Sequence, residues 1–125
     1  MKSNLLLLSL FFLLPLSLFS QSMEGKWFAQ IPGMEEGTTM DLVLEMAAGK
    51  YMVDFGNDGT IEIEGVYELQ ETQMTIKDTG GERACLNQVG VYSFKVTTED
   101  LIMTPISDPC EGRSGPDGMQ FTRMD

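Results

Sequence analysis

Beyond the apolar stretch at its N-terminus, this chain alternates apolar and polar residues almost everywhere, and helical periodicity is nearly absent. A strand turns successive side chains to opposite faces, so period-two alternation specifies strands with one buried face. "GKWFAQI" sets Trp27, Ala29 and Ile31 against Lys26, Phe28 and Gln30, and "TMDLVLEM" sets Met40, Leu42, Leu44 and Met46 against Asp41 and Glu45. "YMVDF" places Tyr51, Val53 and Phe55 opposite Met52 and Asp54, after which Asp58-Gly59 marks a tight hairpin. In "TIEIEGVYELQ", Ile61, Ile63, Tyr67 and Leu69 read as inward, and Glu62, Glu64 and Glu68 as outward. Gly65 takes an inward position, where a missing side chain permits a bulge or a sharp bend. "QMTIKD", "VYSFKV" (Tyr92, Phe94 and Val96 inward), "LIMTPI" and "MQFTRM" complete eight strands, Pro105 implying an edge-like or bulged end to the seventh. With no helical crossover between them, eight strands about a dozen residues apart predict an all-β, antiparallel meander. It is expected to close into an eight-stranded up-and-down barrel, with a two-sheet sandwich as the alternative.

The stretch before this pattern, MKSNLLLLSLFFLLPLSLFSQS, carries one basic residue, an apolar run from Leu5 to Phe19 and small residues at Ser20 and Ser22. That order matches a secretory signal, and the run is shorter than the roughly 20 residues a membrane-spanning helix requires. Residues 1–22 are therefore expected to be a signal peptide cut after Ser20 or Ser22, and residues 23–125 one exported domain, periplasmic or secreted. No stable membrane insertion is expected after cleavage. The chain has 8 basic and 19 acidic residues and a net charge of −11, which argues against nucleic acid as a partner. Such a charge serves the solubility of an exported domain, with a specific cationic partner as the alternative.

The two cysteines, Cys85 and Cys110, stand in a chain with no histidine and no CxxC. A zinc site needs about four Cys or His ligands, and a nucleophilic thiol needs a base, commonly His. In an exported chain the pair is read as one structural disulfide.

"GKW", Gly25 to Trp27, at the start of the first strand and Arg123 in the last strand together resemble the lipocalins, in which a GxW signature opens the barrel. The family's second signature is echoed only in part by "TTED", Thr97 to Asp100, which lacks its tyrosine. The chain looks like a short bacterial lipocalin-like domain, a calycin-type barrel. The resemblance implies that Gly25, Trp27 and Arg123 close one mouth, with the guanidinium over the indole at a gain of about 0.5–2 kcal/mol.

Four residue sets remain as candidates for chemistry. "DFGNDGTIEIEG" resembles a calcium loop at Asp54, Asp58 and Gly59 but has Gly56 and Gly65 where ligands belong, so the expectation is a hairpin and no metal. The ten methionines read first as core filling, then as an adaptable ligand wall, and last as Cu(I) ligands. Asp78, Arg83, Asp108 and Arg113 flank the cysteines and should gather at one barrel end, as surface ion pairs or as a recognising rim. Asp41, Glu45, Glu62, Glu64 and Glu68 read as a solvated face. A glycosidase-like carboxylate pair is not singled out, and without histidine no enzyme, catalytic residue or cofactor is expected. The leading expectation is an exported binding protein that holds a small apolar or amphipathic ligand inside the barrel. Its candidate lining is Met40, Leu42, Leu44, Tyr51, Val53, Phe55, Ile61, Ile63, Tyr67, Tyr92 and Phe94. The alternative is a protein-interaction module, such as a small protease inhibitor, acting through Pro32–Thr38 and Glu111–Gly118 on a protein partner that the residues do not name.

Overall fold

The computed structural model describes residues 22–124, so the expected signal peptide lies, apart from Ser22, outside the described residues. Its eight strands are β1 (Gly25–Pro32), β2 (Thr39–Ala47), β3 (Lys50–Phe55), β4 (Ile63–Gln70), β5 (Gln73–Gly80), β6 (Val89–Val96), β7 (Asp100–Ser107) and β8 (Met119–Arg123). Each pairs antiparallel with the next, and β8 returns to β1 to close a barrel. Closure decides against the sandwich.

The connections at the two ends differ in kind. At the lower end the strands are joined by short turns. Ala48 and Gly49 adopt φ of 53° and 78° in the β2–β3 turn, the geometry of a two-residue hairpin whose twist matches the strands it joins. The Thr97 hydroxyl accepts the Asp100 amide at 2.9 Å and so caps the β6–β7 turn. At the upper end the loops span 33–38, 56–62, 81–88 and 108–118. The tight hairpin expected at Asp58-Gly59 is instead the wider 56–62 loop. Side chains there take the place of ladder bonds. Asp54 accepts the amides of Asp58 (3.1 Å) and Gly59 (2.9 Å), and Glu62 accepts the amide of Phe55 (2.8 Å).

One core fills the barrel. Trp27, Met46, Met74, Tyr92 and Leu101 are its largest fully buried side chains. Met23, Leu42, Leu44, Tyr51, Val53, Tyr67, Ile76, Met103 and Phe121 pack with them. Two register shifts shape the wall. One falls between Glu64 and Gly65, where a Cβ would overlap the Tyr51 ring, so glycine is what lets that ring cross the strand. The other falls between Val91 and Tyr92, opposite Pro105, which has no amide to donate to the ladder.

Three inward expectations are corrected. Ile61 precedes β4 in the 56–62 loop and is 38% exposed, because the alternation was extended across residues that are not strand. Leu69 shares a face with Tyr67 and pairs with the buried Met74, yet beside the β4–β5 turn it is 44% exposed. Met40, at the upper end of β2, is half-buried and outside the core cluster.

Candidate functional site

Both mouths of the barrel are closed by arginines, each in a different way. At the lower mouth Trp27 is completely buried, and its indole N–H donates to the Met23 carbonyl at 3.0 Å. The Arg123 guanidinium lies over the ring, 4.2 Å from its centroid, and donates to the carbonyls of Ser22, Glu24 and Thr98 at 2.9–3.0 Å. Gly25 has φ of 130° and its Cβ would stand 3.1 Å from the Arg123 guanidinium, so the first residue of the GxW triplet gives that cation room. The closing contact that the resemblance implied is therefore present.

The upper mouth holds a buried polar network with a near-repeat in it. Asp78, at the end of β5, accepts the Tyr51 phenol at 2.5 Å and the Cys85 amide at 2.8 Å. Asp108, just past β7, accepts the Tyr92 phenol and, at 2.9 Å, the Cys110 amide. Arg113 lies between them. Its Nη1 donates to Asp108 at 3.0 Å and its Nη2 to the Gln88 carbonyl at 3.0 Å, while Nη2 stands 3.8 Å from Asp78. All three charged side chains are under 10% exposed. The Cys85–Cys110 disulfide, with Cα atoms 6.0 Å apart, ties the two loops across the same mouth. Gly90 makes the space, since a Cβ there would stand 2.6 Å from Arg113 Nη1 and 2.8 Å from Asp108.

Burial above all, and then the bond to Asp108, pushes the Tyr92 phenol up to about 12; burial and Asp78 likewise raise that of Tyr51. Both phenols hold their protons at neutral pH as donors to the carboxylates. The network thus acts as a plug that fixes two loops, and within it only Arg113 Nε has no hydrogen-bond partner.

Arg83 closes the other side of this end. Its guanidinium carbon lies 5.1 Å from the Phe55 ring centroid and its Nη2 reaches the Met34 sulfur at 3.5 Å, while its amide donates to the Glu62 carbonyl. One residue of the 81–88 loop so connects the 33–38 and 56–62 loops. Asp78, Arg83, Asp108 and Arg113 do gather at one end, as expected of residues flanking two cysteines that pair, but Asp78, Asp108 and Arg113 have buried side chains rather than forming a surface rim. The carboxylates of Asp54, Asp58 and Glu62 lie within 4.8 Å of one another. Asp54 and Asp58 accept amides of the 56–62 loop and Glu62 accepts that of Phe55 at the end of β3, so their grouping is explained by the loop's own hydrogen bonding.

Of the candidate lining, Leu42, Leu44, Tyr51, Val53, Tyr67 and Tyr92 are buried in the core, and Phe55, Ile63 and Phe94 pack partly buried against it. Met40 and Ile61 stand apart, as described. Sequence reasoning took Tyr51 and Tyr92 for apolar wall. The overlooked signal is that a buried phenol needs a hydrogen-bond partner, and acids near the cysteines supply it. A shallow, open depression of about 220 Å³ lies outside the barrel wall, lined by Pro105, Ile106, Cys110, Glu111 and Pro116 among others. No family model, curated protein or solved structure matches this chain.

Proposed function

We propose that this chain is an exported, non-enzymatic barrel of lipocalin-like design that acts as a protein-interaction module through its upper loops. The observation that carries this proposal is the filled, doubly closed interior. Trp27, Met46, Met74, Tyr92 and Leu101 are fully buried inside it, with Arg123 across one mouth and Arg113 and Arg83 across the other. A carrier needs a concave apolar chamber, commonly of several hundred Å³, and packing of this kind weighs against one. The loops, by contrast, have what a docking end requires: positions fixed by a disulfide, a buried ion network and a cation–π contact, so that little ordering entropy is lost on binding. The disulfide agrees with an exported setting, and among the described residues no helix is long and apolar enough to cross a membrane.

The test is site-specific photo-crosslinking in envelope extract of the natural host, with the probe placed at Met34 or Leu86 and, for comparison, at Leu69 at the lower end. Discrete protein adducts from the upper positions alone are the expected result. Native mass spectrometry of the protein purified from that host should give the bare mass; a stoichiometric small-molecule adduct would restore the interior-carrier function and sink this one.

A further inference from the structure

Lysine is segregated along the barrel axis. The four upper loops contain no lysine, while Lys26, Lys50 and Lys95 lie at or near the lower ends of their strands and Lys77 lies mid-strand. The upper loops expose Glu35, Glu36, Asp58, Glu82, Glu111 and Asp117. Of their two arginines, Arg113 is paired with Asp108, while Arg83 is exposed, lies over the Phe55 ring beside the Met34 sulfur and keeps its charge, one cation against six exposed acids. The acids outnumber that cation and give the upper end a net negative field. Among them stand exposed apolar side chains: Met34 in the 33–38 loop is 82% exposed, Leu86 56% and Ile61 38%. Arg83 holds the loops of Met34 and Ile61 together, through the Met34 sulfur and the Glu62 carbonyl, and the Asp78–Leu86 bridge fixes the third.

We propose that the upper end, centred on Met34 and Leu86 and ringed by Glu35, Glu36 and Glu82, is the docking surface for a cationic protein, one that presents lysines or arginines around an apolar side chain. This assignment rests on the loop-end function proposed above and names its partner class. Charge complementarity selects the occupant. A second copy of this chain would bring like charge to like, and an anionic lipid surface or nucleic acid would be repelled. The apolar tips supply the desolvated centre, and the acids steer approach and set the salt dependence.

The experiment measures binding of the purified full chain to a labelled synthetic peptide of lysines and phenylalanines separated by serines, with a comparator in which serine replaces every lysine. Binding of the first alone, weakening as salt rises, is expected. The triple change E35Q/E36Q/E82Q should weaken it roughly tenfold. Removing three acids from the other end with E68Q/E71Q/E99Q should leave it within about twofold. Met34→Ser should weaken it with the charge intact. Equal losses from the two triple variants, or no binding at all, would overturn the proposal. A partner crosslinked from Met34 in extract whose capture ignores E35Q/E36Q/E82Q would overturn the cationic assignment and leave the loop-end function standing.

Discussion

Arg113 neutralises one of the two carboxylates it lies between, so the upper mouth carries a buried net negative charge that only hydrogen bonds offset. Tyr51, Tyr92 and the two cysteine amides supply them. Breaking a buried ion pair from one side commonly costs about 3–5 kcal/mol, because the remaining charge loses its partner. Arg113→Met is accordingly expected to lower unfolding stability by about that much in urea at neutral pH. The combined change R113M/D78N/D108N should recover part of the loss, since it leaves no buried charge behind. The phenols make a second prediction, on the alkaline side. Tyr92 titrates near 12 when folded, and Tyr51 and Tyr67 are raised as well, chiefly by burial, whereas an unfolded phenol ionises at about 10. Between those values the folded chain holds protons that the unfolded chain releases. The contribution is complete below about pH 10 and is lost as pH rises toward 12. Ultraviolet titration should therefore find Tyr51 and Tyr92 protonated at pH 10 in the folded protein, and their phenolates appearing together on alkaline unfolding. Stepwise ionisation from pH 9 upward would contradict the buried placement. At this scale the sequence was readable where a residue's type forces one solution, as with two cysteines and no histidine. It was opaque where the partner comes from a distant strand, as Asp78 does for Tyr51.

Alternation was enough to place all eight strands within a few residues, because a half-buried strand has to repeat every two positions. It failed where the chain leaves the ladder. Ile61 continues the pattern of "TIEIEGVYELQ", but β4 begins only at Ile63, and the carboxylates of Asp54 and Glu62 hold the loop before it. No periodicity encodes that substitution of side-chain for backbone bonds. The two departures from regular pairing were legible through their residues, Gly65 by its missing side chain and Pro105 by its missing amide. Gly65 matters to both strands it joins, since Tyr51 on β3 passes through the space where a Cβ would be, and the Lys77 carbonyl stands 2.6 Å from the same point. Overpacking of this sort commonly costs about 1–3 kcal/mol. Gly65→Ala should reach at least the upper part of that range, as it also drives the Tyr51 phenol away from Asp78. The diagnostic is the Tyr51 titration, which should fall toward the ordinary phenol value in the variant. A variant as stable as the parent, with Tyr51 unchanged, would mean that the strand relaxes outward at the bulge.

For the whole molecule, the decisive event is closure between the first and last strands. β1 pairs with β2 over eight positions from Gly25 to Pro32, yet with β8 only at Trp27–Arg123 and Phe28–Thr122. This seam joins residues nearly a full domain apart in sequence, so its loop-closure entropy is the largest in the barrel while its ladder is among the shortest. Compensation comes from the side chains. Arg123 adds its stack on Trp27 and its bonds to the Ser22, Glu24 and Thr98 carbonyls, and the Met124 amide donates to Lys26. The lower half of the seam is thereby locked and the upper half, from Ala29 to Pro32, has no β8 partner in the register. Local opening should therefore begin there, at a free energy well below that of global unfolding. Hydrogen exchange is expected to be faster in β8 and the upper half of β1 than in β4 and β5, whose register runs from Glu64–Gly80 to Gln70–Gln73. Arg123→Ala should widen the difference by releasing the locked half, and the single tryptophan should report it as a red-shifted emission. Uniform protection around the barrel, unchanged in that variant, would mean that the core packing alone holds the sheet closed and that the arginine over Trp27 contributes little to it.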